Sequence, residues 1–547
     1  MSEATVNKTV PIQVKQFGID SNEANQTVSN KRLLGWSLIS TAFWMCLAHL
    51  PRWMNVAMAS YDSLMIYQND QIHEIAIGRF LQPVYVLLRG DIASPFVIGI
   101  LASLFLGLAV FLICKLANLL SPLKVCILSG TLATCFPLAL HNATYTFSFD
   151  LTMLAALFGV LAVFLTARYR FGFLPSIIFF AAILALSPGY ITVSVTLSLV
   201  YLFLCALQKY PMKYIVLTGI KALVFIGLGA LLYLVSYPVV QESLSIEPST
   251  YRNFSSLSDS MAEISFVRLL WETYSLPFRI MANPPVFHGG LVGVVNLFLF
   301  FAFLVLYVNF IRKRKLAGVH LVLSVLLLLL LPLGMNCTYI IARQAYHELF
   351  YFSYNLSYVL PLFLINTSWL RKRFSQIKTT LTNCIKWIVA IGTLVSFVLI
   401  IAINVIYANQ VYVKKDLEAH ATFSVMTRII DEIEELDGYE PGVTPVAFAG
   451  YLRDNPPYSS SIYGFSRFTG NGLENGPYST VNYISYKTYT RYLLHVPLKL
   501  VPTQAEADQI AESPEAKAMP VFPHKGYCAF VDGVVVVKLS EGHDPAP

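Results

Sequence analysis

Long apolar runs separated by short polar connections fill the chain from Leu33 to Tyr407. A membrane-crossing helix takes about 20 mainly apolar residues, and by that measure the runs predict about eleven spans. They are expected near Leu33–Leu50, Ala93–Cys114, Lys124–Leu140, Leu151–Thr166, Phe173–Leu186, Tyr190–Leu207, Tyr214–Ser236, Gly289–Ile311, Leu316–Met335, Leu349–Leu370 and Trp387–Tyr407. The fifth is short, and Ser187-Pro188-Gly189 marks a tight turn into the sixth. Lys31-Arg32, Lys115 with Lys124, Arg168 with Arg170, Lys209 with Lys213, Arg312 to Lys315, and Arg371-Lys372-Arg373 with Lys378 and Lys386 all fall in alternate connections. Such a bias marks the cytosolic side, so the N-terminus is expected inside, the C-terminus outside and the number of spans odd.

Beyond Tyr407 the pattern becomes that of a water-soluble unit. Ala419–Leu436 has helical periodicity and Thr444–Ala449 reads as a strand. Asp532-Gly533 between Cys528–Val531 and Val534–Leu539 is a two-residue hairpin signal. The Tyr-, Ser- and Gly-rich stretch Asn455–Tyr492 predicts loops with at most a short strand. At the other end, Met1–Asn30 is polar, reads as a disordered cytosolic tail and lacks the form of a signal peptide. The expected organisation is a tail over 1–30, a membrane domain over 31–408 and an external α/β domain over 409–547.

Composition agrees with the pattern: 56% of the residues are hydrophobic and 13% charged, with a mean hydropathy of +0.61, which defines a polytopic α-helical membrane protein. The formal charge of +7 resides in the short connections and is accounted for by orientation in the bilayer, so no nucleic-acid partner is expected. The eight cysteines are scattered without CxxC spacing, which argues against a disulfide framework or a zinc site.

The candidate chemistry lies in the external connections, above all in Tyr61–Leu81, YDSLMIYQNDQIHEIAIGRFL. Ionisable groups at the edge of a bilayer are costly unless used or solvated. Asp62, facing a cavity, can act as a general base toward a hydroxyl; equally, Asp before Ser and an apolar run is a good helix cap. Asp70 and Glu74 are four apart and on a helix need a cation between them, which His73 or Arg79 can supply, or else they form a solvated face. Arg79 and Arg343 have the guanidinium fork that holds a phosphate and stabilises charge on a leaving group, or they snorkel to headgroups. Arg343 is crowded by Gln344, Tyr346, His347 and Glu348. Asp150, ending TYTFSFD, is either a second acid or the cap of the next span. Val84–Leu88 and Ile264–Trp271 read as helices lying in the interface, or as plain connections between spans.

An inside N-terminus, a long first external loop with an acid soon after span one, Gly78-Arg79-Phe80, and a second loop ending in Phe147-Ser148-Phe149-Asp150 resemble the Gtr-type serotype-converting glucosyltransferases of the GT-C superfamily. Arg343 is similar to a further arginine before a late span. The resemblance covers Leu33 to Tyr407 in order. It implies transfer of a sugar, expected to be glucose, from an undecaprenyl-phosphate-linked donor to a lipid-linked surface polysaccharide such as O-antigen, at the periplasmic face of a bacterial inner membrane. Asp62 and Asp150 are then expected to be catalytic, and Arg79, Arg343, Asp70, Glu74 and His347 to bind substrate. No cofactor is expected, and arginines can replace a metal ion at the phosphate. The competing classes are a lipid or polysaccharide transporter or flippase, and a surface-polysaccharide polymerase or ligase. Transporters tend to show internal repeats and midplane charges, whereas here charges gather at one face.

Overall fold

The computed structural model describes residues 28–55, 71–247, 265–286, 288–342, 348–365, 381–450, 455, 486 and 489–541. Asp62, Asp70, Arg343 and His347 lie outside the described residues, as do most of the expected tail and most of Asn455–Tyr492. Among the described residues, eight helices are long and apolar enough to cross a membrane, and a ninth span results if one bent pair is counted together. Length and composition therefore establish a polytopic membrane protein, but not the expected count of eleven.

The first helix, α1 (Asn30–Met54), starts on Ser29, whose hydroxyl accepts from the Arg32 amide, and carries Pro51 in its last turn. After it come the short α2 (Gln71–Ala76) and α3 (Leu81–Arg89), which leads by Gly90 to the long α4 (Pro95–Leu116). The span expected over Lys124–Leu140 is instead two helices, α5 (Pro122–Ala133) and α6 (Phe136–Thr144), bent by 44°. Pro137 in the first turn of α6 has no amide with which to continue α5. A 3-10 turn over Thr146–Ser148 then opens α7 (Phe149–Arg168).

The fifth run is a 14-residue helix, α8 (Phe173–Leu186), and the expected tight turn is the 3-10 turn Pro188–Tyr190 before α9 (Ile191–Leu207). Next, α10 (Met212–Leu244) overruns its expected end by two turns, through Pro238. Its 33 residues span about 50 Å against an apolar core of about 30 Å, so one end reaches beyond the hydrocarbon. The helix expected over Ile264–Trp271 is longer, α11 (Phe266–Ala282), and packs on α12 (Gly289–Arg314) and α13 (Gly318–Met335).

After the short α14 (Tyr339–Ala342), the tenth expected span begins as a 3-10 helix, Glu348–Tyr358, and becomes α-helical only over α15 (Val359–Leu364). The reason is local: Asn355 and Ser357 donate to the carbonyls of Phe352 and Tyr354 three residues back, in competition with α-helical bonding.

The last run becomes a single 54-residue helix, α16 (Leu381–Glu434), which passes through the change in composition near 408 without a break. It carries on one helix the periodicity expected from Ala419. Beyond it stands a four-stranded sheet in the order β2-β1-β4-β3, with β1 at Pro445–Ala449, β2 at Lys499–Leu500, β3 at Cys528–Val531 and β4 at Val534–Lys538. Asp532 (φ 48°) and Gly533 (φ 81°) form the hairpin turn between β3 and β4, the left-handed pair that this motif requires. Helices α17 (Gln504–Ala511) and α18 (Pro514–Ala518) cover the sheet, and β1 pairs in parallel with both β2 and β4.

The membrane helices share one apolar core. Close contacts in it rest on small residues, as is usual where lipid offers no hydrophobic drive for helix association. At Gly107 a side-chain carbon would stand 2.9 Å from Leu38 Cδ2 and 3.3 Å from the Leu38 Cα, whereas at Gly35 nothing lies within 4 Å. Gly107→Leu is therefore expected to part α1 from α4 and cost about 1–3 kcal/mol. Gly35→Leu is expected to be neutral, and thermal unfolding of the detergent-purified pair measures the difference.

Candidate active site

The connection from α6 to α7, Asn142–Asp150, is enclosed in the protein, and two arginines from different helices hold it. Arg52, in the last turn of α1, is buried and donates from Nε to the Thr146 hydroxyl (3.2 Å) and to the Asn142 carbonyl (3.4 Å). Thr146 itself donates to the Asn142 carbonyl at 2.5 Å. Three residues before Arg52, the buried His49 donates from Nε2 to the Ala133 carbonyl (2.9 Å), and its Nδ1 lies 2.5 Å from the Tyr412 hydroxyl of α16. That hydroxyl also accepts from Asn142 Nδ2 at 3.2 Å.

The other end of the segment is held from α3. Arg89 Nη1 donates to Asp150 Oδ1 at 2.6 Å and to the Phe147 carbonyl at 2.7 Å, while the Tyr85 hydroxyl donates to Asp150 Oδ2 at 2.7 Å. The side chains of the ion pair are 5% and 0% exposed. Desolvating two charges costs several kcal/mol each, so the pair is stable only because its geometry is close and its remaining oxygens are engaged. Asp150 Oδ1 accepts in addition from the Leu151 amide. Burial first, and then the Asp150 carboxylate, push the Tyr85 phenol well above its usual range, which keeps it a hydrogen-bond donor.

The arrangement follows from the sequence of α3, LQPVYVLLR. Gln82, Pro83 and Val86 face inward, Val84, Leu87 and Leu88 face out, and Tyr85 and Arg89, one turn apart, reach the same carboxylate. Asp150 itself lies inside the first turn of α7, with Ser148 at the cap position. It is thus neither the helix cap nor an acid open to solvent.

Arg79 stands just before α3, opposite in sequence to Arg89. Gly78 adopts φ 89°, open to glycine but strained for other residues, and the Tyr233 hydroxyl lies where a side-chain carbon would be, 2.2 Å from it. From α10 that hydroxyl donates to the Gly78 carbonyl (3.1 Å), and the Tyr237 hydroxyl donates to the Ala76 carbonyl (2.5 Å). Gln241 Nε2 in turn donates to Tyr237 (2.9 Å). Phe80 stacks on Tyr233, and Tyr233 on Tyr237, each at 5.9 Å between ring centres. Within this frame Arg79 contacts Glu74 at 3.4 Å; the glutamate side chain is 4% exposed and the arginine 40%. Glu74 therefore orients Arg79 and is shielded from solvent, whereas the guanidinium is open to it.

A further polar set fixes the chain on both sides of 343–347. Tyr339 donates to Glu272 of α11 (3.0 Å), which also accepts from Arg268 (3.0 Å). Asn336 Nδ2 donates to the Thr273 carbonyl (3.0 Å), and Tyr354 donates to Asn336 Oδ1 (2.9 Å).

Of the residues expected from sequence, the structure thus joins Glu74 to Arg79 and links Asp150 to Arg89 at the far end of α3. Arg52, Tyr85, Arg89, His49, Asn142, Tyr412 and Tyr233 were not anticipated. One sequence signal could have found some of them: Tyr233, Tyr237 and Gln241 form a polar i, i+4, i+8 stripe along α10, whereas Arg52 and Arg89 merely end apolar segments, as span-end arginines commonly do. Among the described residues no group of three or more His, Cys, Asp or Glu is placed to hold a metal ion.

Comparison with known proteins adds one finding. No curated protein sequence and no solved structure matches the chain. A family model does match: Glucosyl transferase GtrII, over residues 54–365. That range is more than half of the 547 residues and takes in the Gly78-Arg79-Phe80 step, α3 with Arg89, and the whole Asn142–Asp150 segment. The chain belongs to the GtrII glucosyl transferase family and is a membrane glycosyltransferase.

Proposed function

We propose that the protein moves glucose from a polyprenyl-phosphate donor of the undecaprenyl type to a lipid-linked surface polysaccharide such as O-antigen. The site is read as facing the periplasm from a bacterial inner membrane, in a GT-C-like helical domain with the α/β unit on the same external side. The observation that carries the reading is Arg79: a solvent-open guanidinium on a step fixed by Gly78, Phe80, Tyr233 and Tyr237, with its buried partner Glu74 leaving one edge of the fork unused. A lipid-tailed donor delivers its phosphate at headgroup depth, where such a group can receive it.

In this mechanism an acceptor hydroxyl gives its proton to Asp62 as its oxygen attacks the anomeric carbon. The bond from that carbon to the phosphate oxygen breaks, and the lipid phosphate leaves with the bonding pair. Arg79, together with Arg343, receives the charge that develops on it. Asp70 and His347 are assigned to the bound sugars, Glu74 to the orientation of Arg79.

Asp150 acts through Arg89 as a positioning residue. The nine residues of α3 place Arg79 and Arg89 about 14 Å apart along one rigid element, so fixing one end fixes the other.

Three outcomes are expected. Asp62→Asn keeps the shape and removes the base, so the rate of transfer of labelled glucose in membranes should fall about 10²- to 10⁴-fold; a wild-type rate would remove Asp62 from the mechanism. Treatment with a chelator should leave the rate unchanged, because arginines carry the leaving-group charge. A rate that collapses and returns with Mg²⁺ would put a cation in their place. Arg89→Met leaves Asp150 buried without its cation and should cost about 3–5 kcal/mol in thermal unfolding. The double change Arg89→Met with Asp150→Leu should regain much of that stability while transfer stays low; recovery of both together would make the pair structural only.

A further inference from the structure

Helix α16 belongs to two cores at once. Ile403, Tyr407, Ala408, Val411 and Tyr412 pack with Ala48 of α1 and with Ala139, Leu140 and Ala143 of α6. Val425, Met426, Ile429, Ile430 and Ile433 pack with Val446, Phe448, Val535 and Val537 of the sheet. From Tyr412 to Val425 the chain contains neither proline nor glycine, the usual causes of a kink, so the two cores are joined by about 20 Å of stiff helix.

Where α16 meets the bundle it makes a directional polar junction. A carbonyl can only accept, so the Ala133 oxygen fixes a proton on His49 Nε2. In the neutral ring this leaves Nδ1 as the acceptor for the Tyr412 hydroxyl, whose oxygen accepts from Asn142 Nδ2. Asn142 begins the segment held by Arg52 and Arg89, and its own carbonyl is the one that receives Arg52 and Thr146. From Asn142 Oδ1 no hydrogen bond is made to any described residue, and from the buried Trp53 Nε1, next to Arg52, none either. The junction is therefore not saturated, and each bond in it counts.

We propose that Tyr412 is a positioning residue for the transfer reaction: through its hydroxyl, α16 and the sheet unit hold Asn142, and with it the Asn142–Asp150 segment, in place. The chemistry is two hydrogen bonds meeting at one phenol oxygen, and the lever is the helix that carries it. Any load on the sheet unit that tilts or turns α16 moves that oxygen relative to His49 and Asn142. The effect on turnover rests on the glucosyl-transfer reading above; the effect on the segment itself does not.

Hydrogen exchange of the full-length protein in nanodiscs separates the two. Tyr412→Phe keeps the ring in its core and removes only the hydroxyl. Amides across Asn142–Asp150 are expected to exchange about tenfold faster, while amides of α4 and of β4 keep their protection. Ile429→Ala, which loosens the sheet core without touching the membrane bundle, is expected to speed exchange in the same segment. Unchanged exchange there in Tyr412→Phe would overturn the role of the hydroxyl, and unchanged exchange in Ile429→Ala would overturn the lever.

Turnover supplies the functional arm. Tyr412→Phe should lower kcat about tenfold with KM for the donor unchanged, and Asn142→Ala should add little to Tyr412→Phe because the Asn142–Tyr412 bond it removes is one of the two that Tyr412→Phe already breaks. Faster exchange with unchanged kcat would leave the contact real and the positioning role wrong. Altered exchange in a protein whose wild type transfers no glucose would count against the transfer reading and not against the junction.

Discussion

A guanidinium buried against a carboxylate at the end of a membrane bundle is the constraint on which the site depends. Arg89 and Asp150 are far apart in sequence, lie on different helices and are both withdrawn from solvent. The energy of such a pair depends steeply on distance and on the other bonds that its atoms make. It tolerates few alternatives, and that intolerance carries positional information. The carboxylate must sit at the start of α7, the α6–α7 connection must offer the Phe147 carbonyl, and α3 must lie with Tyr85 and Arg89 inward. Once these are satisfied the other face of α3 is left to Val84, Leu87 and Leu88, and its first residue follows directly on Arg79 and Phe80.

The same logic explains the division of labour among the charged groups. Groups that are fully enclosed, Arg52, Asp150 and Glu74, have their bonding directed at the protein, whereas Arg79 keeps two fifths of its side chain in solvent. An enclosed ion builds a frame; a solvent-open one on a rigid frame is available to a ligand. The aromatic ladder of Phe80, Tyr233 and Tyr237 serves that rigidity, since it replaces water around the Gly78-Arg79-Phe80 backbone with hydroxyls of fixed direction.

Much of the fold was legible in the sequence because it is written in long-range averages. Apolar runs identify membrane helices however they pack, and Asp532-Gly533 identifies its hairpin because few residue pairs suit two left-handed positions. What failed to show was whatever depends on a single contact. Pro137 splits a run that hydropathy joins, and Asn355 and Ser357 tighten the Glu348–Tyr358 helix that hydropathy predicts to be regular. In the site, Gly78-Arg79-Phe80 and Asp150 stood out by residue type. Arg52 and Arg89 did not, since an arginine at a span end looks the same in sequence whether it reaches headgroups or turns inward to a carboxylate 61 residues away. Tyr412 was hidden for a similar reason: it lies just past the last apolar run, between Asn409-Gln410 and Lys414-Lys415, where a tyrosine carries no signal of its own, and only the positions of His49 and Asn142 make its hydroxyl informative.

The central claim is that Arg79, fixed on its step at the head of α3, receives the donor's phosphate. The most direct measurement is a cryo-EM structure of the protein in nanodiscs with a non-hydrolysable polyprenyl-phosphate glucose analogue. The account predicts phosphate density within about 3 Å of the Arg79 guanidinium, with the Arg89–Asp150 pair intact beneath it. Density for the phosphate at the opposite end of the bundle, or an Arg79 side chain that remains free with the analogue bound elsewhere, would contradict it.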